Sequence, residues 1–550
     1  MKKLDFSPAK YSKELTNILK EIIKIDDWDN NILRKILRKY PKDGKYLFSK
    51  DQLLSGYEYL VKNKQLKPNP QLRNRLIMKP TRTLSGVSAV TVLTKPYPCP
   101  GNCIFCPNIP DMPKSYLPSE PGAQRAVTYN FDPYLQVYNR LKALQNTGHN
   151  TDKVELIVIG GTWSYYPESY QIWFVKECFR ALNKPIERRS DLDFIKNSLT
   201  ADENASWDDL YRQHGINQKA RHRCVGLSFE TRPDQITQEE AVRMRKLGAT
   251  KVQIGIQSLD DKILKMNNRQ HTIEHSKNAF KILRSAGFKI HAHWMVNLYG
   301  SNHKKDVEDY KRLWNNDFRP DEVKIYPTSI IKGTKLYDLY QNKRYKPYST
   351  KQLTSVIKQL MLHTPKYCRL TRVIRDIPSP EIIAGNTKTN LRQIAEQQLI
   401  EANTPCTCIR CREIKSEIPK KIKEEIIKYE TPIGKEIFIS YITSTSNKIV
   451  GFLRLLLPAK KEFSDNFLPE LQNSSIIREI HVYGKSLQIG SSGDKASQHS
   501  GIGKNLINIA EKYSSKYKKI SVIQAVGTTE YYKKLGFREN GLYMSKKTSQ

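Results

Sequence analysis

The sequence predicts an α/β protein: a partial, TIM-like parallel barrel with a helical region before it and a separate α+β unit after it. Three observations carry this expectation. Up to about residue 82, apolar residues such as Ile22, Ile23, Leu33, Ile36 and Leu37 recur with partial helical spacing, and no strong strand run interrupts them. From Thr83 onward, short apolar runs alternate with helix-like stretches. Beyond about residue 420, strand candidates follow one another across hairpin-like gaps.

The alternating part supplies six strand candidates: SAVTVL, VELIVIGG, CVGLSF, TKVQIGIQS, FKIHAHWMV and DEVKIYPTS. Between most of them lie segments such as QEEAVRMRKLGA and HSKNAFKILRSAGF, so the pattern reads as βαβ units and a parallel sheet. Sites in such folds gather at the C-terminal ends of the strands. The last part offers EIFISYIT, IVGFLRLLL and SIIREIHVYG, then a Gly-containing turn, the helix KNLINIAEKYSSKY, the strand ISVIQAV and the segment YYKKLGF. The division read from these changes of texture is 1–82, 83–370, a linker at 371–420, and 421–550.

Charge narrows the partner. The 550 residues carry 92 Lys+Arg against 55 Asp+Glu, a net charge of +37. Such an excess points to a polyanion, nucleic acid before membrane. Residues 1–85 alone hold 20 Lys/Arg and 9 Asp/Glu, a net +11. Arg34, Lys35, Arg38 and Lys39 share one face of a helix there and form a candidate phosphate-contacting surface. No apolar run reaches 18 residues, so no membrane span is expected. The start MKKLDFSPAKYSKEL has no apolar core, so a secretory leader is not expected. Nine cysteines, six of them in two tight clusters, suggest metal ligation in a reducing, cytoplasmic setting rather than disulfides.

The first cluster, CPGNCIFC, places Cys99, Cys103 and Cys106 in C-x3-C-x2-C spacing directly after a strand. Three thiolates on one loop suit three irons of a 4Fe–4S cluster, leaving the fourth iron open to S-adenosylmethionine (SAM). Zinc is the alternative, but structural zinc asks for four protein ligands and no fourth cysteine lies close by. The second cluster, CTCIRC, places Cys406, Cys408 and Cys411 in C-x-C-x2-C spacing, which suits tetrahedral Zn²⁺. His363, Cys368 or a carboxylate are candidates for its fourth ligand, and Arg410 and Arg412 beside it are candidates for phosphate contacts. The third motif, QHSGIGKNL, carries Gln498, Gly501 and Gly503 in Q-x-x-G-x-G between a strand and a helix. Glycines admit close approach to the backbone, and a helix start favours an anion such as a pyrophosphate. A nucleotide would also satisfy this, but the motif follows antiparallel strands rather than opening a dinucleotide-binding unit.

In these motifs the chain resembles the radical SAM superfamily. Phe105 between the last two cysteines, Gly160 and Gly161 in IVIGGTW, and the segments GLSFETRPD and VQIGIQSLDDKIL extend the likeness. The resemblance implies SAM contacts from Gly160 and Gly161 and from Glu230, Arg232, Gln257 and Ser258 at or just past strand ends. More specifically, KPTRTLSGVSAVTVLTKPYPCPGNCIFCP, DEVKIYPTSIIKGTKLYDLY, RVIRDIPSPEIIAGNTKTNLRQ, REIHVYG and VGTTEYYKKLGF resemble the catalytic-subunit family of Elongator, which carboxymethylates the wobble uridine of tRNA. The likeness runs from about residue 20 to the C-terminus.

This family resemblance implies a radical SAM barrel, a zinc-bearing linker and a GNAT acetyltransferase-like domain, and hence an acyltransferase-class radical SAM enzyme. The implied cofactors are a 4Fe–4S cluster, SAM and zinc, with acetyl-CoA as co-substrate. The implied partners are the tRNA anticodon stem-loop and a reductant, with homodimerisation or accessory subunits left open. Gln498, Gly501 and Gly503 would hold the CoA pyrophosphate, and Tyr531 and Tyr532 would lie near the thioester. Glu479 and His481 are candidates for polarising water or acetyl. Lys324 and Tyr326, at the end of a strand, are candidates for contacting substrate or SAM.

Overall fold

The computed structural model describes residues 6–186, 203–415, 417–419, 421–484 and 501–548. The chain opens with four α-helices, Ser12–Ile23, Asn30–Lys39, Lys50–Lys62 and Pro70–Leu76. Their starts are written in the sequence: Asp29 accepts from the Ile32 amide at 2.7 Å, Asn69 from the Leu72 amide at 3.0 Å, and Ser49 and Gln52 form a capping box. The first helix buries Leu15, Ile18, Leu19 and Ile22, an i, i+3, i+4, i+7 stripe. These helices close on a hydrophobic core of their own. Arg34, Lys35, Arg38 and Lys39 are exposed on the outer face of the second helix, where Lys39 pairs with Glu21 at 2.9 Å.

The middle of the chain forms a parallel sheet in which every strand lies beside its sequence neighbours: β1 (Ser88–Leu93), β2 (Lys153–Ile159), β3 (Arg223–Thr231), β4 (Lys251–Gln257), β5 (Lys289–Val296), β6 (Glu322–Pro327) and β7 (Arg369–Arg372). Sequential order with helical crossovers curls the sheet into a half-barrel. On β2, Val154, Leu156 and Val158 are buried beneath the helices, while Glu155, Ile157 and Ile159 face the barrel interior. Six of the seven strands correspond to the apolar runs read from the sequence. The seventh, RLTR, has four residues and no apolar run, and it pairs with β6 through Glu322–Arg369 and Val323–Leu370.

The C-terminal part forms a mixed sheet from β8 (Ile422–Thr431), β9 (Gly434–Thr443), β10 (Ile449–Pro458), β11 (Ser474–Val482), β12 (Lys519–Val522), β13 (Arg538–Asn540) and β14 (Tyr543–Lys547), in the order β13-β14-β12-β11-β10-β9-β8. All neighbours are antiparallel except β11 and β12. The helix Ile502–Tyr513 falls between those two strands in the chain. The strand β8 and the pair β13–β14 were not among the sequence expectations.

One continuous hydrophobic core runs from the half-barrel into the C-terminal sheet. Buried ions lie along this junction. Arg478 binds Asp321 and Glu436, and Arg454 binds Glu479 at 2.8 Å and the Tyr367 carbonyl at 2.6 Å. Burial opposes ionisation of Asp321, but Arg478, Arg454 and Arg284 overcome it and hold the carboxyl at about 2. Arg245 donates to the Leu542 carbonyl at 2.9 Å and the Gln524 carbonyl at 2.7 Å, and Tyr543 donates to the Ala286 carbonyl at 2.7 Å. Among the described residues no helix is long and apolar enough to cross a membrane.

Candidate active site: two cavities and two cysteine triads

The loop after β1 carries Cys99, Cys103 and Cys106 to the C-terminal mouth of the barrel. Cys99 Sγ lies 3.5 Å from Thr162 Oγ1 and accepts from the Gly101 amide at 3.4 Å, and Arg269 donates to Cys103 Sγ at 3.4 Å. Burial pushes the Cys106 thiol up to about 12, so it ionises readily only against the charge of a metal. The three sulfurs do not crowd to within 4.8 Å of one another; among the described residues only Cys406, Cys408 and Cys411 gather so closely. Thiolates on different irons of a cluster must stand farther apart than thiolates sharing one ion, so this donor set fits a 4Fe–4S cluster better than zinc.

The strand ends around this loop bring the expected SAM contacts together. Gly160 has φ +124° and a Cβ there would lie 2.2 Å from Thr94 Oγ1, so only glycine fits, and Gly161 follows at φ +81°. Arg232 is buried and pairs with Asp234 at 3.0 Å, while its Nη1 is unpartnered among the described residues and lies against the cysteine loop. A Cβ on Gly101 would stand 1.8 Å from that nitrogen. Gln257, at φ +66° on the end of β4, leaves its buried Oε1 without a partner among the described residues. Such unmet groups at the cavity are what a polar ligand would satisfy. The Ser258 hydroxyl, by contrast, is engaged, donating to the buried Asp309 at 2.7 Å.

Below the mouth the barrel encloses a cavity of about 720 Å³. Glu230 accepts from Tyr116 at 3.3 Å and lies 3.5 Å from His293. Lys324 donates to Gln253, and burial lowers its ammonium to about 8 even though Glu230 pulls the other way. Burial pushes the Tyr326 hydroxyl up to about 12. His291 and His293 are neutral because burial, first of all, holds both well below the usual histidine range. The cavity is also lined by Arg125, Arg140, Arg372, Arg375 and Arg410, a strongly cationic rim. Arg375 is held by Glu120 at 2.7 Å and Ser115 Oγ at 2.9 Å. Arg412, expected beside Arg410 as a phosphate contact, is instead buried and paired with Glu425 at 2.6 Å.

A second cavity, of about 870 Å³, lies between the C-terminal sheet and the strand starts of the barrel. Gly501 (φ +73°) caps the helix Ile502–Tyr513, and Gly503 in its first turn lies close under Tyr531, so that a Cβ there would stand 2.7 Å from Tyr531 Oη and would have to displace it. Both glycines line this cavity with Tyr531, Glu479 and His481. Gln498 lies outside the described residues. Tyr531 is exposed, whereas Tyr532 is buried edge-on against Phe537 and belongs mainly to the core. Glu479 is clamped between Lys289 at 2.6 Å and Arg454. His481 is 3.2 Å from the Ser85 carbonyl and packs on Tyr483.

The second triad closes the junction. Cys408 is held well below the usual thiol range by hydrogen bonds from Cys406 and Cys411. Cys406 and Cys408 are buried, and Cys411 contacts Glu396 Oε1 at 3.3 Å and Arg392 at 3.5 Å. Three gathered sulfurs, one already favouring the thiolate, fit Zn²⁺. Of the three cysteines the Glu396 carboxylate touches Cys411 only, and it is held by Arg392 at 2.7 Å; Cys368 meets the triad segment through its carbonyl, which accepts from the Ile409 amide at 2.9 Å.

Sequence reasoning missed Glu155, Lys251, Gln253, His291, His293 and Glu322, all of which line the barrel cavity. The signal was present as alternation. KVQIGIQ, KIHAHW and EVKIYP each place polar residues at nearly every second position of an apolar strand, the period of an inward face, and VELIV sets a single Glu155 on that face.

A cysteine loop at the mouth of a parallel half-barrel, with glycine-lined strand ends beside it, defines a radical SAM enzyme. The Radical SAM superfamily matches residues 97–313 and the Radical_SAM C-terminal domain matches residues 320–401. The chain belongs to the family of Elongator complex protein 3 and the tRNA uridine(34) acetyltransferases. It is 36% identical to the tRNA uridine(34) acetyltransferase of Methanocaldococcus infernus, over 94% of this chain and 98% of that protein. It is also 36% identical to Elongator complex protein 3 of Saccharomyces cerevisiae, over 86% of this chain and 85% of that protein. The solved archaeal Methanocaldococcus infernus Elp3 with an N-terminal deletion (1–46) superposes with a TM-score of 0.68 at 33% identity, covering 84% of this chain and 99% of that one.

Proposed function

We propose that the protein modifies uridine 34 of tRNA, joining the methyl carbon of an acetyl-CoA-derived acetyl group to the uridine to give 5-carboxymethyluridine. The observation that carries this reading is the pairing of two cavities across one continuous core. A barrel cavity with the cysteine loop and unmet polar groups at its mouth stands above a second cavity built around a glycine-opened helix start. The relatives named tRNA uridine(34) acetyltransferase support the substrate, and the arginine rim of the barrel cavity suits a polyanion.

When bound, the iron–sulfur cluster and SAM supply a 5′-deoxyadenosyl radical, chemistry that no side chain offers. Cys99, Cys103 and Cys106 would hold the cluster, and Gly160, Gly161, Glu230, Arg232 and Gln257 would hold SAM. Gly501 and Gly503, with Gln498, would hold the pyrophosphate of acetyl-CoA, with Tyr531 over the helix start. Lys324 and Tyr326 present a donor ammonium and a neutral hydroxyl to the reacting region of the barrel. The neutral His291 and His293 add hydrogen bonding without extra charge. Cys406, Cys408 and Cys411 would bind zinc and fix the junction between the two cavities. The working units of this reading are residues 1–82 for tRNA contact, 83–370 for radical chemistry, 371–420 for the zinc linker and 421–550 for acetyl-CoA.

The test is mass spectrometry of tRNA nucleosides after anaerobic incubation with SAM, acetyl-CoA and a reductant. A carboxymethyluridine peak that requires both SAM and acetyl-CoA supports the reading. Unmodified uridine in the presence of active SAM cleavage refutes it.

A further inference from the structure

The two cavities meet at the floor of the barrel, not at its mouth. Ala89 on β1, Glu155 on β2, Lys251 on β4, Glu322 on β6 and Arg369 on β7 line both. All five stand at or near the starts of their strands, whereas the cysteine loop and the SAM-facing glycines stand at the strand ends. An acetyl group held in the C-terminal cavity is therefore separated from the radical site by the depth of the barrel. From Glu155 to Ile159 that depth is four residues of strand, roughly 13 Å.

The floor is anchored on one side and loose on the other. Glu322 is gripped by Lys251 at 3.3 Å and Lys289 at 3.3 Å, and Lys289 is in turn fixed by Glu479. Glu155 has one ion-pair partner among the described residues, Lys251, and its side chain is 30% exposed. Its flanks are small: Ala89 is exposed into the cavities, and Gly226 on β3, the register partner of Glu155, has no side chain. Above the floor the interior is lined by Thr91, Gln253, His293 and Lys324, groups that can hydrogen-bond a thioester oxygen.

We propose that the acetyl end of the thioester enters the barrel through this floor, past Ala89 and the Glu155–Lys251 pair, and reaches the radical site from below. This rests on the reading that acetyl-CoA occupies the C-terminal cavity. Glu155 acts as the latch: its long, partly exposed side chain swings aside from Lys251, while Lys251, Glu322 and Lys289 stay fixed in the buried network behind it. The uridine then enters from the C-terminal mouth, where Arg372 and Arg375 stand at and just past the end of β7.

The test uses bromoacetyl-CoA, whose reactive carbon occupies the acetyl position and is displaced onto a thiolate with loss of bromide. Thr91→Cys places a thiol inside the barrel just above the floor. In the cluster-loaded protein, peptide mapping should find Cys at position 91 alkylated by bromoacetyl-CoA, and excess acetyl-CoA, which has no free thiol to consume the reagent, should suppress the reaction. Adding Ala89→Phe, or the smaller plug Ala89→Leu, should abolish or slow this alkylation while iodoacetamide still labels the same thiol and CoA still binds by calorimetry. Adding Glu155→Gln to Thr91→Cys, which weakens the latch, should speed it. Alkylation that ignores the plug overturns the floor route, as does a position-91 thiol that reacts with iodoacetamide but not with bromoacetyl-CoA in a protein that binds CoA. Failure of the parent protein to bind CoA at all would instead remove the acetyl-CoA reading beneath it.

Discussion

The two cysteine triads use the same residue and nearly the same span of chain, yet they build different sites. Cys99, Cys103 and Cys106 sit on a loop at the mouth of a cavity, each partly exposed, their sulfurs held apart by separate partners. Cys406, Cys408 and Cys411 converge to within 4.8 Å, mostly buried, sharing protons among themselves. Spacing alone separates C-x3-C-x2-C from C-x-C-x2-C by two residues. Burial and sulfur separation turn that small difference into an open, partly exposed triad in one place and a closed, mostly buried one in the other.

The largest effect should come from the open triad. Cys103→Ser should remove the iron–sulfur absorbance and SAM cleavage together, because three ligands leave no redundancy. Deoxyadenosine formed at the parent rate would end the radical assignment. The closed triad should instead govern stability. Metal analysis should find about one zinc per chain besides iron. Replacing Cys406 and Cys408 together with alanine should release that zinc and lower the melting temperature, since structural metal binding contributes directly to folding. Full zinc retention in the double variant would show that the triad is not the zinc site.

A smaller effect separates the barrel interior from the surface. Burial lowers Lys324 to about 8 from the 10.5 of an exposed lysine. Between those values the unfolded chain binds the proton that the folded chain has lost, so this group makes folding more favourable as pH rises from about 8 to 10.5. Below 8 both states are protonated and the buried charge weighs against folding. The parent should therefore gain melting temperature relative to Lys324→Met over that window. A pH-independent difference would mean that Lys324 is solvated. Reversing Arg34, Lys35, Arg38 and Lys39 to Glu should leave chemistry intact, weaken tRNA binding and flatten its salt dependence, by about 0.7 to 0.9 in log–log slope for each lost phosphate contact. An unchanged slope would show that this face is only hydrated.

Much of this was legible in the sequence. Six strands of the barrel announced themselves as apolar runs, and the two cysteine clusters lie where the sequence placed them, on the loop after β1 and in the linker. RLTR escaped because a four-residue edge strand needs no apolar run when only one side has a neighbour. β8 escaped because IKEEIIKYET is largely exposed and reads as charged coil. The partners of Ser258 and Arg412 were not legible either. Each lies on another element: Asp309 and Glu425. The polar barrel layer was written in period-two alternation, but the runs containing it were read for their apolar half.

The central claim is that both cavities serve one reaction at the acetyl methyl carbon. Acetyl-CoA carrying a fully deuterated methyl group tests it most directly, in an anaerobic incubation with SAM, reductant and tRNA. The account predicts deuterium in 5′-deoxyadenosine and two deuteriums retained in the modified uridine, with both lost in Gly503→Trp, whose side chain would collide with Tyr531 and fill the helix start. Deuterium-free deoxyadenosine beside an acetylated amine that keeps all three deuteriums would contradict it.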